Sequence, residues 1–209
     1  MRSSTRLIAC GVFRPALEHL KLEERYPYLR YNYLPSNLHL RPQDLRRQLS
    51  ETITSARQGN ERILCLYGTC FPDIDDFCRH QGVTKVPGFH CFEMLLGSEQ
   101  YENVINEIFE MLLGSEQYEN VINEMPGTYF LERDLILNFE EYCLEPLELH
   151  DEEMRKSFFE HYERIVYLRQ PSDPDLLSKA NELATFLQLS LEIRDADYSH
   201  LKKILNDLF

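Results

Sequence analysis

The sequence predicts an α/β protein with a three-layer Rossmann-like fold, in which a mostly parallel sheet carries helices on both faces. Short apolar runs, typical of buried strands, alternate along the chain with longer helical patterns. The alternation extends from a first strand at residues 6–12 to a last helix at residues 198–208. At 209 residues the chain is long enough to bury the core of such a fold.

The first half of the chain begins with the strand at 6–12, and a helix starts near Pro15 because proline is tolerated in the first helical turn. Residues 26–34 alternate aromatic and polar side chains, which indicates a second strand. After Pro42, apolar residues recur at helical spacing until Gly59. The elements predicted next are a strand at 62–68, a short helix at about 73–80 and a strand at 83–87.

The second half of the chain begins at the turn Pro126-Gly127. The elements predicted there are a strand at 128–131, helices at about 133–145 and 151–163, a strand at 164–168, a helix at 174–188, a strand at 190–194 and the last helix. Because no long linker separates these elements, we expect a single domain over residues 1–209, or two lobes at about 1–131 and 132–209.

A perfect tandem duplication lies between the two halves. Residues 109–125 repeat residues 92–108, and the first sixteen residues of the seventeen-residue unit are identical. A recent duplication, an engineered one and a sequence-assembly error would all leave such identity. Seventeen residues leave the second copy rotated by about 100° along a straight helix, so we expect breaks at Gly97 and Gly114. The extra apolar residues then pack locally or form a homodimer contact.

The composition argues against several classes of partner. With 22 basic and 35 acidic residues, the net charge of −13 disfavours nucleic acid and anionic membranes. No apolar run reaches the length of a membrane span, and no signal peptide is recognisable, so a cytoplasmic protein is expected. There the six cysteines are thiols or metal ligands rather than disulfides. No CxxC, GxGxxG, Walker, GxSxG or HExxH motif is present.

Three of the cysteines, Cys10, Cys70 and Cys91, each follow a predicted strand and precede a helical pattern. Residues just beyond the carboxyl ends of parallel strands gather in one crevice, so these thiols are expected to meet. Sulfur ligands favour zinc or an iron–sulfur cluster, and His90 could add a nitrogen ligand. Alternatively, His90 or Glu93 would activate one cysteine as a nucleophile.

Structural roles remain open for all of these residues. A cysteine in an apolar segment is often a small buried hydrophobic residue, and this is the interpretation for Cys65, Cys78 and Cys143. His90 and Glu93 are equally suited to hydrogen-bonded structural roles. Asp73, Asp75 and Asp76 resemble a cation site but are expected to cap and solvate a helix start, whereas the segment Glu132-Arg133-Asp134 could face the crevice.

Five segments together resemble an uncharacterised family, the domain of unknown function 1638 of methanogens and other anaerobes. The matching strings are ACGVFRPALE, YLPSNLHLRP, LYGTCFPDID, VPGFHCFEMLLGSEQY and PGTYFLERDLI. The resemblance emphasises the same three cysteines and implies a link to corrinoid-dependent methyl transfer. Similar sequences carry a histidine where this chain has Phe71, and they have one LLGSEQY segment rather than two.

Three functional hypotheses follow. The first is a metalloprotein that holds zinc or an iron–sulfur cluster through Cys10, Cys70 and Cys91, with zinc-activated methyl transfer to a thiol as one reaction. The second is a metal-free thiol enzyme. The third is a non-catalytic partner of a corrinoid methyltransferase system, which would bind through the acidic surface or the duplicated segment. Whether the protein is an enzyme is left open by the sequence.

Overall fold

The computed structural model describes residues 4–59, 61–97 and 127–209. Contacts between residues divide the chain into two compact units. The first comprises Met1–Leu95 and the C-terminal segment Tyr198–Phe209, and the second comprises Leu96–Asp197. Each unit contains a parallel sheet of its own.

The first unit contains four strands, which are β1 (Thr5–Cys10), β2 (Leu29–Leu34), β3 (Arg62–Leu66) and β4 (Thr84–Lys85). Its first five α-helices are α1 (Arg14–Leu20), α2 (Leu22–Arg25), α3 (Pro42–Arg57), α4 (Ile74–His80) and α5 (Cys91–Leu96). The last of these ends at the boundary with the second unit. The C-terminal segment adds the last helix of the chain, α9 (Ser199–Asn206). Short 3-10 helices at Gly11–Phe13 and Ser36–Leu40 complete it.

The four strands lie in the order β2-β1-β3-β4, and every neighbouring pair is parallel. The chain first moves from β1 to β2 on one side and then crosses back to β3 on the other side of β1. Right-handed crossovers therefore place the helices after β1 and the helix α3 on opposite faces of the sheet. The order reverses between β1 and β3, which makes their carboxyl ends the topological switch point, where ligands bind in open α/β sheets.

The periodicity of its apolar residues explains how α3 packs. Leu45, Leu49, Ile53 and Ala56 recur at intervals of three or four residues, and all four are buried. Pro42 starts the helix, where its missing N–H costs no hydrogen bond. The central strand β1 is buried from Leu7 to Cys10, as expected for a strand with helices on both faces.

The second unit contains the strands β5 (Gly127–Leu131), β6 (Tyr162–Arg169) and β7 (Ser190–Asp195), in that order and all parallel. Its helices are α6 (Arg133–Leu137), a π-helical segment (Glu140–Leu144), α7 (Glu152–Phe159) and α8 (Leu177–Leu187). Both connections run in the same direction along the sheet, so right-handed crossovers place them on one face. The core there includes Ile136, Phe159 and Ile165.

The predicted α/β class with parallel strands and flanking helices is confirmed, and the parallel strands are divided between two sheets. The predicted helix at 133–145 is interrupted after Leu137. The strand predicted at 83–87 is shorter in the structure, where only Thr84–Lys85 form a strand. The breaks predicted at Gly97 and Gly114 and most of the duplicated segment lie outside the described residues. The single domain, or two lobes divided near residue 131, stays a prediction.

Membrane-spanning elements are absent from the described part of the chain, where no helix is both long and apolar enough to cross a bilayer. The cytoplasmic location stays a prediction.

Candidate functional site

The three cysteines singled out by the sequence lie around the switch point of the first sheet. Cys10 is the last residue of β1, Cys70 lies in the loop after β3, and Cys91 is the first residue of α5. The register pairs Ala9 with Leu66, so Cys10 and Tyr67 are the next residues along the two central strands. The topology thus brings distant parts of the chain to the carboxyl edge of one sheet.

Gly68 allows the loop before Cys91 to approach the end of β3. A Cβ atom on Gly68 would lie 2.9 Å from both the backbone N of Cys91 and the carbonyl oxygen of Phe89. That carbonyl accepts two hydrogen bonds from Thr69, one from the backbone N (2.7 Å) and one from Oγ1 (2.8 Å). The Gly68 N–H donates to Cys91 Sγ over 3.4 Å. These contacts fix Cys91 beside the loop that carries Cys70.

Cys91 is the centre of the thiol cluster, which we define as Cys10, Cys70 and Cys91. Its thiol lies near enough to Cys10 and Cys70 for both to shift its pKa. The hydrogen bond with Cys91, followed by burial, raises the pKa of Cys70. The hydrogen bond with Cys10 is the largest cause that raises the pKa of Cys91, and the bond with Cys70 opposes it. In the absence of a cation, Cys70 and Cys91 are therefore neutral thiols at pH 7.

Access to the cluster differs among its members. Cys10 is buried, whereas Cys70 and Cys91 are partly exposed. The neighbouring Phe89 ring is 48% exposed.

Tyr67 adds a buried hydroxyl to the cluster. Its side chain is 1% exposed, and within the described part of the chain its hydroxyl has no hydrogen-bond partner. Burial raises the pKa of Tyr67 well above its usual value, and the nearby Cys10, Cys70 and Cys91 thiols add to the effect. The phenol therefore keeps its proton and remains a hydrogen-bond donor. Buried polar groups without a partner are rare in folded proteins and point to an unseen ligand or water.

Lys85 supplies a positive charge at the same edge of the sheet. Its side chain is 9% exposed, its Nζ donates to the Gly88 carbonyl oxygen over 3.0 Å, and it pairs with Asp75 at 3.4 Å. The Lys85 charge partly opposes the rise in the pKa of Cys70, because it favours the thiolate. Lys85 offsets the other causes only in part, so the pKa of Cys70 stays raised and the neutral thiol is favoured.

Glu93 and His90 have structural contacts beside the cluster. One oxygen of Glu93 accepts hydrogen bonds from the backbone N–H groups of Phe89 (2.9 Å) and His90 (3.2 Å), which caps the start of α5. The His90 ring packs edge-on against Phe89 at 4.7 Å, and burial lowers the pKa of His90. The role of either residue in catalysis or metal binding stays a prediction.

The other three cysteines lie outside the cluster. Cys65 and Cys78 are buried and hydrogen-bonded to each other, and this bond, with burial, raises the pKa of Cys65. Cys143, in the second unit, is buried and contacts the Tyr129 hydroxyl at 3.5 Å. These positions agree with the interpretation of the three residues as buried side chains.

The predicted acidic groups mainly serve helix starts and ion pairs. Asp73 pairs with Arg46 at 3.0 Å, at the start of α4. Glu132, in the second unit, accepts hydrogen bonds from the backbone N–H groups of Asp134 and Leu135 and so caps α6. Burial raises the pKa of Glu132 to about 7 despite these bonds.

Within the residues described here, no group of three or more His, Cys, Asp or Glu side chains is arranged to hold a metal ion. The described structure brings the three cysteines to one edge of the sheet without arranging them as a ligand set. Neither Tyr67 nor Lys85 was singled out from the sequence, because they lie inside the strands predicted at 62–68 and 83–87.

Comparison with known proteins yields one family match. The model of a family described as protein of unknown function (DUF1638) matches residues 33–108 and 109–205. The two matched segments meet at the junction between the two copies of the duplicated segment. No curated protein and no solved structure matches the chain.

Proposed function

The chain belongs to the family of proteins of unknown function DUF1638, and from its site we propose that it binds a soft metal ion, best matched by zinc, through Cys10, Cys70 and Cys91. One observation carries this proposal. Three thiols that are distant in sequence meet at the switch point of a parallel sheet, beside a buried Tyr67 hydroxyl that has no partner in the described part of the chain.

The raised pKa values of Cys70 and Cys91 favour a metal over a metal-free nucleophile. A cysteine attacks as the thiolate, and at neutral pH these two side chains are protonated. Burial lowers the pKa of His90, which makes its imidazole a weaker base toward a neighbouring thiol. A bound cation reverses this situation, because a coordinating thiol loses its proton outright.

The donor atoms of the three cysteines, rather than their arrangement, suit a single soft ion, because zinc takes sulfur ligands at about 2.3 Å. Binding would require the three side chains to move into a ligand geometry, since no described group is arranged to hold a metal ion. Three protein ligands leave one coordination position open, as in catalytic zinc sites. An iron–sulfur cluster is the alternative ligand for the same three cysteines, and iron analysis distinguishes it from zinc.

The open position suggests a reaction. Zinc lowers the pKa of a bound thiol, so the site would hold a substrate thiolate ready to accept a methyl group. A methyl-corrinoid bound by a partner protein would be the donor: its Co–C bond would break as the S–C bond forms, and the cobalt would leave with the electron pair as Co(I). This part of the proposal depends on the family resemblance alone. Homodimer formation through the duplicated segment is likewise a prediction.

Metal analysis tests the proposal. The protein is purified without oxygen, supplied with zinc and freed of excess ion, and its zinc and iron contents are then measured. We expect about one equivalent of zinc per chain. Replacing Cys10, Cys70 and Cys91 together by serine should abolish retention.

The matched control removes the same number of thiols elsewhere. The triple alanine variant of Cys65, Cys78 and Cys143 should retain the wild-type zinc content, with circular dichroism used to verify folding of every variant. Equal zinc contents in the two triple variants, or no zinc in the wild type, would refute the proposal.

A further inference from the structure

Cys70 and Cys91 are held against the same residue, although they are distant in sequence. The Gly68 carbonyl oxygen accepts a hydrogen bond from the backbone N of Cys70 at 2.9 Å. The Gly68 N–H donates a hydrogen bond to Cys91 Sγ at 3.4 Å. The backbone of Cys70 and the sulfur of Cys91 therefore both lie within hydrogen-bonding distance of one glycine.

Close backbone packing accompanies these two hydrogen bonds. A Cβ atom on Gly68 would lie 2.9 Å from the backbone N of Cys91, so the loop after β3 touches the start of α5. A disulfide needs two cysteines whose backbones come close, with Cα atoms no more than about 7 Å apart. The contacts through Gly68 favour such an approach, and both cysteines are free thiols in the structure.

Exposure distinguishes this pair from the third member of the thiol cluster. Cys70 and Cys91 are partly exposed, whereas Cys10 is buried. Cys10 is also fixed as the last residue of β1, where it pairs with Leu34 in the parallel ladder. Thiol–disulfide exchange depends on access to the attacking sulfur, so Cys70 and Cys91 are the more accessible pair.

We propose that Cys70 and Cys91 form a reversible disulfide bond by exchange with a small-molecule disulfide, which makes the pair a redox-sensitive modification site. The bond itself requires no metal ion. Only its consequence rests on the proposed function, because oxidation would remove two of the three sulfur ligands and so block zinc binding.

The exchange balances in two steps. One cysteine loses its proton to water, and its thiolate attacks the small disulfide, which forms a mixed disulfide and releases one small thiolate. The second cysteine loses its proton and attacks the protein sulfur of the mixed disulfide, which releases the other small thiolate. Both released thiolates take up protons. The cysteine pair is oxidised by two electrons, and the small disulfide is reduced to two thiols.

Thiol counting in the metal-free protein tests the bond. The triple alanine variant of Cys65, Cys78 and Cys143 leaves only the thiol cluster to react. It is treated with a chelator, incubated with oxidised glutathione at about pH 8.5, where thiolates form more readily, and then labelled with N-ethylmaleimide in urea. We expect label on Cys10 alone and a cross-link between Cys70 and Cys91 in peptide mass spectra. Reduction with dithiothreitol should restore labelling of all three.

A further substitution in the same variant separates the two steps. With Cys70→Ser the second thiol is missing, so glutathione should stay attached to Cys91 as a mixed disulfide. The wild-type chain, treated identically, should also lose label at both Cys70 and Cys91, which shows that the alanine substitutions did not create the pair. Circular dichroism verifies the folding of each variant.

Three results would overturn the proposal, namely a cross-link through Cys10, stable glutathione adducts where both Cys70 and Cys91 are present, and unchanged labelling after oxidation. Because the test contains no metal, its failure leaves the proposed zinc site standing. A protein that retains no zinc can equally form the disulfide, so the two proposals fail separately.

Discussion

Substitution of Gly68 by alanine tests whether close backbone packing builds the thiol cluster. The new Cβ atom would lie 2.9 Å from the backbone N of Cys91, 2.9 Å from the Phe89 oxygen and 3.0 Å from the His90 Cα. All three are backbone atoms, which cannot rotate away as the end of a side chain can. The Phe89–Cys91 loop must therefore move outward.

The size of the effect follows from these contacts. Overpacking of a tight site costs about 1–3 kcal/mol. The displaced loop also weakens the hydrogen bonds from Thr69 to the Phe89 oxygen, each worth about 0.5–1.5 kcal/mol. We expect Gly68→Ala to lower the free energy of unfolding by about 2–4 kcal/mol. The displaced Cys91 should also reduce zinc retention.

Urea denaturation followed by circular dichroism measures this free energy, with zinc analysis alongside. The control is Gly59→Ala, because a Cβ atom there would lie 3.3 Å from the Glu61 side chain and 3.5 Å from the Ala56 oxygen, farther than the backbone contacts at Gly68. Its free energy of unfolding should change by less than about 1 kcal/mol. If Gly68→Ala is as stable as the wild type and retains zinc equally well, the close approach of the two loops is not what holds Cys91 in place.

Two further predictions concern the second unit. The pKa of Glu132 is about 7 in the folded protein and lower in the unfolded chain, so its contribution to stability is full below about pH 4.5 and is lost as the pH rises through 7. Between pH 4.5 and 8 the free energy of unfolding of the wild type should fall by about 3 kcal/mol relative to that of Glu132→Gln. If the difference in unfolding free energy between the two proteins does not depend on pH, the prediction is wrong. Asp151 caps α7 through Oδ1, which accepts two backbone hydrogen bonds at 2.8 and 2.9 Å. Asp151→Ala should cost about 1 kcal/mol in urea denaturation and Asp151→Asn much less, whereas equal losses would argue against a capping role.

Local sequence patterns predicted the elements well where burial dictates the pattern. The apolar run at β3 predicts a buried strand, and the spacing of Leu45, Leu49 and Ile53 predicts a helix with one buried face. The structure has both elements. The division of the strands between two sheets was not predictable in this way. Strand pairing depends on contacts between distant residues, and alternation of strands and helices is the same for one parallel sheet or two.

The break in the predicted helix at 133–145 has a similar origin. Its apolar residues continue the helical pattern, so periodicity alone predicts one element. In the structure α6 ends at Leu137, and a π-helical segment follows at Glu140–Leu144. Packing places Phe139 and Cys143 in the core of the second unit, and such tertiary contacts override local preference.

The candidate site was predictable to the extent that topology determines it. Residues after parallel strands share one edge of the sheet, which is why Cys10, Cys70 and Cys91 were expected to meet, and Cys10 and Cys70 lie near enough to Cys91 to shift its pKa. The partners of Lys85 and the isolation of the Tyr67 hydroxyl depend on side-chain packing. No sequence pattern encodes whether a buried hydroxyl finds an acceptor.

The position of the duplication relative to Cys91 bears on which copy supports the site. The first copy begins at Phe92, directly after Cys91, and its first five residues lie in α5. Met94 of this copy is fully buried and lies so close to Gly88 that a Cβ atom there would be 2.6 Å from its Cγ. The second copy is preceded by Ile108, so only the first copy carries a thiol at its start. The described start of the first copy, in α5, therefore lies directly beside Cys91 of the thiol cluster.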